Sequence, residues 1–138
     1  MFVEPSLRLT HQAALAMLAG AVARAEEIGQ PQCIVIVDAS GETLAQLRMS
    51  GAKYLSLKSA KTKARTAASI GAASAAIPEH VGLYIAAATE GHVTRLAGGL
   101  PIYMEGQLIG GIGIGSGSTE QDVDVATAAL AAIGAEAQ

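Results

Sequence analysis

Gln107-Leu-Ile-Gly-Gly-Ile-Gly-Ile-Gly-Ser116 is the stretch that decides how this chain folds. With the next glycine it holds five in eight residues: Gly110, Gly111, Gly113, Gly115 and Gly117. Side chains along a strand alternate with a period of two. Ile112, Ile114 and Ser116 therefore share one face, and Gly111, Gly113, Gly115 and Gly117 share the other. Glycine weakens a strand, since it has nothing to pack and loses the most backbone entropy on folding. A whole face of it implies that something lies flat against the backbone there. The occupant is a packed helix, a neighbouring subunit or a planar ligand. No register of the run gives G-x-G-x-x-G, and no Gly-Lys-Ser/Thr follows it, so it is neither a dinucleotide fingerprint nor a P-loop. Gly115-Ser-Gly-Ser-Thr119 does lead into a helix N-terminus, where free N–H groups can hold an anion; capping by Ser118 is the simpler reading.

Outward from this strand the chain reads as hairpins and helices. Leu100 to Met104 pairs with the glycine strand around Glu105-Gly106. Cys33 to Val37 is a short β-branched run, joined through the turn Asp38-Ala-Ser-Gly41 to a second strand, Thr43 to Met49. Thr10 caps a first helix with Leu15, Leu18, Val22 and Ala25 at helical spacing, and Ala14, Ala21 and Ile28 beside them. Gly29 and Pro31 end it. Tyr54 to Ile70 is helical and stops at Gly71. Ala72 to Thr89 has no single reading, though Pro78 suits the first turn of a short helix. Glu90 to Gly99 reads as a loop. Ser118 with Gln121 forms a capping box for a last helix carrying Val125, Ala129 and Ile133. Two hairpins separated by helices predict one α+β domain over residues 1–138, an antiparallel sheet with helices on its faces.

Composition narrows the classes. The chain is 51% apolar, 15% charged and 3% aromatic, without Trp. Its core must be built from small side chains, each burying little area at ~25 cal/mol per Å². So few charges on so apolar a chain predict surface shared between subunits, a homo-oligomer. A net charge of −3 argues against nucleic acid as a partner. The single cysteine, Cys33, sits in an apolar run and reads as a buried hydrophobe; alone it excludes an intrachain disulfide or a cysteine zinc cluster. No signal segment and no bilayer-spanning stretch stands out. The expected location is cytoplasmic, or secreted if a leader has been removed.

Candidate site residues follow from charge and chemistry. Lys53, Lys58, Lys61, Lys63 and Arg65 are five of nine basic residues. Lys58, Lys61 and Arg65 share a helix face, either solvated or forming a cationic rim for ligand carboxylates. Lys63 falls off that face toward the apolar side, where a buried lysine suits site chemistry. Asp38 begins a turn and either pairs with Arg48 across the hairpin or serves the site. His11, His80 and His92 are too scattered for a local metal motif. His11 reads as exposed in a first helical turn; His92, in the loop before Gly98-Gly99, is the candidate metal ligand or general base. Tyr54, Tyr84, Tyr103 and Met104 read as core packing ahead of contacts to a macrocycle. No Ser-His-Asp, HExxH or paired-cysteine motif is present.

Six segments, in order and spanning nearly the whole chain, resemble the GlcG/HbpS-like family. They are Ile36-Val-Asp-Ala-Ser-Gly41, Arg48-Met-Ser-Gly-Ala52, Lys63-Ala-Arg-Thr-Ala67, Gly98-Gly-Leu-Pro-Ile102, Gly110-Gly-Ile-Gly-Ile-Gly-Ser116 and Glu120-Gln-Asp122. The family includes haem-binding proteins and the C-terminal domain associated with some corrinoid adenosyltransferases; other members accompany catabolic enzymes. The resemblance implies a profilin-like three-layer α/β/α sandwich around an antiparallel sheet, assembled as dimers or larger rings such as octamers. It also implies a pocket near the subunit interface, bordered by the Gly-Gly-x-Pro loop and the Lys/Arg-bearing helix.

Three expectations result. In the first, the protein binds haem, a corrinoid or a related tetrapyrrole. Arg48, Lys63 and Arg65 pair with its carboxylates. Gly98, Gly99, Pro101, Gly113 and Gly115 border it, and His92 or a tyrosine approaches the iron. In the second, it is a cofactor-free isomerase, hydratase or lyase for a small organic acid: Arg48 or Arg65 holds the carboxylate and Lys63, Asp38 or His92 moves the proton. In the third, it is an assembly protein whose glycine face only packs a helix.

Overall fold

A computed structural model describes residues 1–136. The glycine run is β4 (Gln107–Gly115), an inner strand of an antiparallel four-stranded sheet. Its companions are β1 (Cys33–Asp38), β2 (Thr43–Arg48) and β3 (Gly99–Met104), in the order β2-β1-β4-β3. Alternation sorts the side chains. Ile34 and Ile36 of β1, with Ile112 and Ile114 of β4, enter a core closed by α1 (His11–Glu27) and α4 (Thr119–Ala132). Cys33, Val35 and Val37 point the other way, to Ala60, Ala64 and Ala68 of α2 (Leu55–Ile70). Helices thus cover both faces of the sheet, the expected three-layer sandwich.

The occupant of the glycine face is α2. A methyl built on Gly113 would strike the carbonyl of Ala60, and one on Gly111 that of Ala64. At Gly115 it would come within 2.8 Å of the Ser56 carbonyl. Ser56, Ala60 and Ala64 lie four apart, so a ridge of small residues along one face of α2 seats in the glycine groove. No ligand can lie flat there, and the expectation that Gly113 and Gly115 border a ligand is corrected.

Close packing also resets the stripe on α1. Its buried residues are Ala14, Met17, Ala21 and Ala25. Leu15, expected inside, is 61% exposed, while Leu18 and Val22 are half-buried at the core's edge. The cause is α4: a methyl on Gly20 would lie 2.8 Å from the Ala132 Cβ, so only the small-residue stripe fits between these helices.

The ambiguous middle resolves into two 3₁₀ turns (Ser74–Ala76 and Glu79–Val81) and a short α3 (Gly82–Ala88). Expected punctuation holds. Gly71 ends α2 at φ 67°; Glu105 and Gly106 make the hairpin turn at φ 50° and 76°; Ser118 and Gln121 form the reciprocal capping box. Tyr103 is fixed by donating its hydroxyl to the Gly71 carbonyl at 2.8 Å. Tyr54 and Tyr84, expected in the core, are 70% and 78% exposed: Tyr54 precedes α2 at its N-cap, and α3 buries only Gly82.

Cys33 is wholly buried, as expected. Burial pushes its thiol above the ordinary range, against the pull of Arg48. Native protein should therefore be inert to Ellman's reagent, with labelling appearing only as denaturant unfolds it. Rapid labelling of the native state would contradict this burial.

Candidate functional site

Arg65 and His92 are 27 positions apart in sequence, and the fold brings them to one cleft of about 620 Å³. Arg65 stands on α2. Its Nε donates to the Gly41 carbonyl at 3.1 Å, tying the helix to the turn between β1 and β2. Among the described residues its terminal nitrogens have no hydrogen-bond partner, so they are available to a ligand.

His92 follows α3. Its backbone N–H donates to the Thr89 carbonyl at 3.1 Å, and its Nδ1 lies 2.7 Å from the same oxygen. A carbonyl only accepts, so Nδ1 carries the hydrogen and the Nε2 of the neutral ring keeps a free lone pair. The loop beyond is pinned. Thr94 N–H donates to Thr66 Oγ1 at 3.0 Å. Ser74 Oγ donates to the Leu96 carbonyl at 2.6 Å and accepts from Gly99 N–H at 3.0 Å. Hydroxyl residues Ser40, Ser69 and Thr89 complete the polar lining, and among the described residues no carboxylate lines this cleft. A guanidinium, an imidazole lone pair and hydroxyls without an acid suit an anionic ligand with a second, electron-accepting group.

Across the turn lies a second cavity of about 640 Å³, sharing Ala39, Ser40 and Leu108 with the first. Arg8, His11 and Asp38 line it together with Leu7, Leu44 and Ile109. Arg8 and the site position of His11 escape sequence reasoning. Nothing local signals that residues 6–11 return to lie beside β1, and helical spacing alone makes His11 an ordinary exposed residue.

Four other expectations change. Asp38 does not meet Arg48: the register sets Arg48 opposite Cys33, at the far end of β1. Asp38 Oδ1 instead accepts from Ser40 and Glu42 N–H at 2.9 and 3.1 Å, shaping the turn. Arg48 lines a separate cavity with Lys53 and Tyr54, away from Arg65 and His92. Lys63 is buried as expected but committed: Nζ donates to the Ile114 carbonyl at 2.8 Å and to Asp122 Oδ2 at 3.0 Å. Gly98, Gly99 and Pro101 are buried and, among the described residues, line none of these cavities; a methyl on Gly99 would strike the Lys63 carbonyl, so this segment holds β3 against α2.

Among the described residues no group of three or more His, Cys, Asp or Glu side chains is placed to hold a metal ion. No helix there is long and apolar enough to cross a membrane.

Comparison with known proteins agrees with this architecture. The sequence is 38% identical over 135 residues to the corrinoid adenosyltransferase PduO of Citrobacter freundii, covering 94% of this chain and 40% of that protein. The chain thus spans about two fifths of that relative's length. The crystal structure of a PduOC:heme complex superposes with a TM-score of 0.88 at 32% identity, covering 94% of this chain and 98% of the other. The Klebsiella pneumoniae protein ORFY superposes with a TM-score of 0.90 at 29% identity over 97% of each chain. Residues 9–131 match the family described as haem degrading protein HbpS-like, and the chain belongs to that family.

Proposed function

We propose that this chain is a small-ligand-binding protein that holds haem or a related tetrapyrrole, a corrinoid included, in the cleft beside the 38–42 turn. One observation carries the reading: Arg65 and His92 line one cleft that no carboxylate lines among the described residues, and neither the Arg65 terminal nitrogens nor His92 Nε2 has a hydrogen-bond partner there. The haem held by the PduOC relative supports it. The residues fit such a group. Arg65 offers two terminal nitrogens to a carboxylate. Leu108 gives an apolar wall shared with the neighbouring cavity, where Leu7 and Leu44 extend it. The His92 Nε2 lone pair would bind a metal as a neutral imidazole ligand does. A bound iron tetrapyrrole would supply redox and ligand-exchange chemistry; the chain's part is to orient it and neutralise its carboxylates.

The organic-acid enzyme reading loses two of its three proton carriers, since Lys63 and Asp38 are engaged with Asp122 and the turn amides. It retains Arg65 and His92 alone. The assembly reading correctly anticipates that the glycine face packs a helix, yet leaves the cleft unexplained.

Hemin added to purified protein, beside hydroxocobalamin, should give a saturable absorbance shift. Arg65→Ala should weaken hemin binding about 10- to 100-fold, the worth of a charged hydrogen bond. His92→Ala should abolish the shifted band, and Arg48→Ala should leave binding unchanged. Non-saturating binding with every variant alike would end this reading.

Self-association belongs to the same proposal. α3 leaves Leu83 and Tyr84 at 87% and 78% exposure and ends at the cleft's rim in Thr89. Apolar surface of this kind favours burial against a second copy. Light scattering should return a dimer or larger species; a monomer at micromolar concentration would count against it.

A further inference from the structure

We infer that the turn over residues 89–92 presets His92 as its Nδ1–H tautomer, so that the cleft selects ligands offering an electron-pair acceptor beside their carboxylate. This rests on the binding reading above and deepens it: the preferred class is a metallated tetrapyrrole rather than the same macrocycle without metal.

The geometry is specific. α3 closes in a Schellman pattern, with Gly91 N–H donating to the Ala86 carbonyl at 2.7 Å and Glu90 N–H to that of Ala87 at 3.1 Å. Glu90 and Gly91 both take left-handed backbone, φ 56° and 79°. Glycine usually fills the first of these positions; a glutamate there is held against its steric preference by the surrounding bonds. The chain doubles back, and the Thr89 carbonyl, freed from the helix ladder, takes both the backbone N–H and the ring Nδ1–H of His92. Thr89 is itself fixed, its Oγ1 donating to the Ile85 carbonyl at 2.7 Å.

The electronic consequence follows directly. A neutral ring whose Nδ1 hydrogen is engaged presents only a lone pair at Nε2. That lone pair attracts a metal and repels a second carboxylate. Arg65 is the cation among the cleft's lining residues, and it serves the carboxylate. Thr89 and the 90–91 turn are therefore positioning elements acting through His92.

Nitrogen NMR of histidine-labelled apoprotein in mildly alkaline buffer reads the tautomer directly. We expect His92 to show a protonated-type Nδ1 and an unprotonated-type Nε2; a dominant Nε2–H form would overturn the inference. Hemin and metal-free protoporphyrin IX share ring and propionates, so titrating both isolates the metal. Hemin should bind about tenfold or more tightly. His92→Ala should erase that preference, and Arg65→Ala should weaken both equally. Saturable binding of both at equal affinity would refute the selection, and binding of neither would remove the reading beneath it while the NMR still reported the tautomer. In Gly91→Ala an added methyl meets no atom within 4 Å, so it strains only the turn. This variant should mix the tautomers and lower hemin affinity severalfold while helix content is retained. An unchanged tautomer and affinity would show that the turn is not the device.

Discussion

Gly113→Ala is expected to lower the melting temperature by more than about 10 °C, on the order of 3 kcal/mol for a domain of this size. The methyl would strike the Ala60 carbonyl, with the Ala64 backbone nitrogen only 2.7 Å away. These obstacles are backbone atoms of α2, which cannot turn aside as a flexible side chain does. Relief requires moving the helix, and α2 is held elsewhere through Lys63, Thr66 and the Tyr103 bond at its end. Gly106→Ala is the control. It lies at φ 76° with nothing within 4 Å, so it bears backbone strain alone and should cost about 1 kcal/mol. A Gly113→Ala melt within about 2 °C of the wild type would show that α2 does not sit on the glycine face.

Asp122→Ala is expected to cost about 3–5 kcal/mol, because it strands the Lys63 ammonium without its counter-charge. The two side chains are 7% and 5% exposed, and their contact at 3.0 Å joins α2 to α4 beneath the sheet's end. Asp122 also accepts from Gly117 N–H at 3.0 Å. Removing both charges in Lys63→Met with Asp122→Leu should recover much of the loss. About 1–2 kcal/mol should remain, since the Ile114 carbonyl and Gly117 N–H lose their partners. Urea titrations arranged as a double-mutant cycle measure this coupling. Single variants each costing less than about 1 kcal/mol would mean the pair is solvated rather than buried. The pair also abuts Gly98, whose added methyl would lie 3.2 Å from the Lys63 Nζ. Asp122→Ala should therefore loosen the segment that leads back to His92 and lower hemin affinity as well as stability.

Much of this was written in short-range pattern. The β-branched run of β1 and the glycine alternation of β4 announced strands, the second with something packed flat on its glycine face. Gly71, the Glu105-Gly106 turn and the Ser118–Gln121 box marked element ends, because a cap or turn is decided within four or five residues by its own hydrogen bonds. On α1 the expected Ala14, Ala21 and Ala25 are buried but Leu15 stays outside, because the closeness of α4 favours the smaller residues. Hairpin proximity left Asp38 open to pairing with Arg48 or to a site role; strand register, which sequence distance does not reveal, puts the two at opposite ends of β1.

By itself the sequence determined that something must lie flat on Gly111, Gly113 and Gly115, that Lys63 turns inward, and that two hairpins build an antiparallel sheet. Those properties belong to residue type and local period. Only the tertiary structure decided that α2 is the occupant, that Lys63 meets Asp122 at a separation of 59 residues, and that Arg65 and His92 line one cleft. Such pairings are chosen by which surfaces fit at van der Waals distance after the layers stack, and that complementarity is distributed over the whole chain.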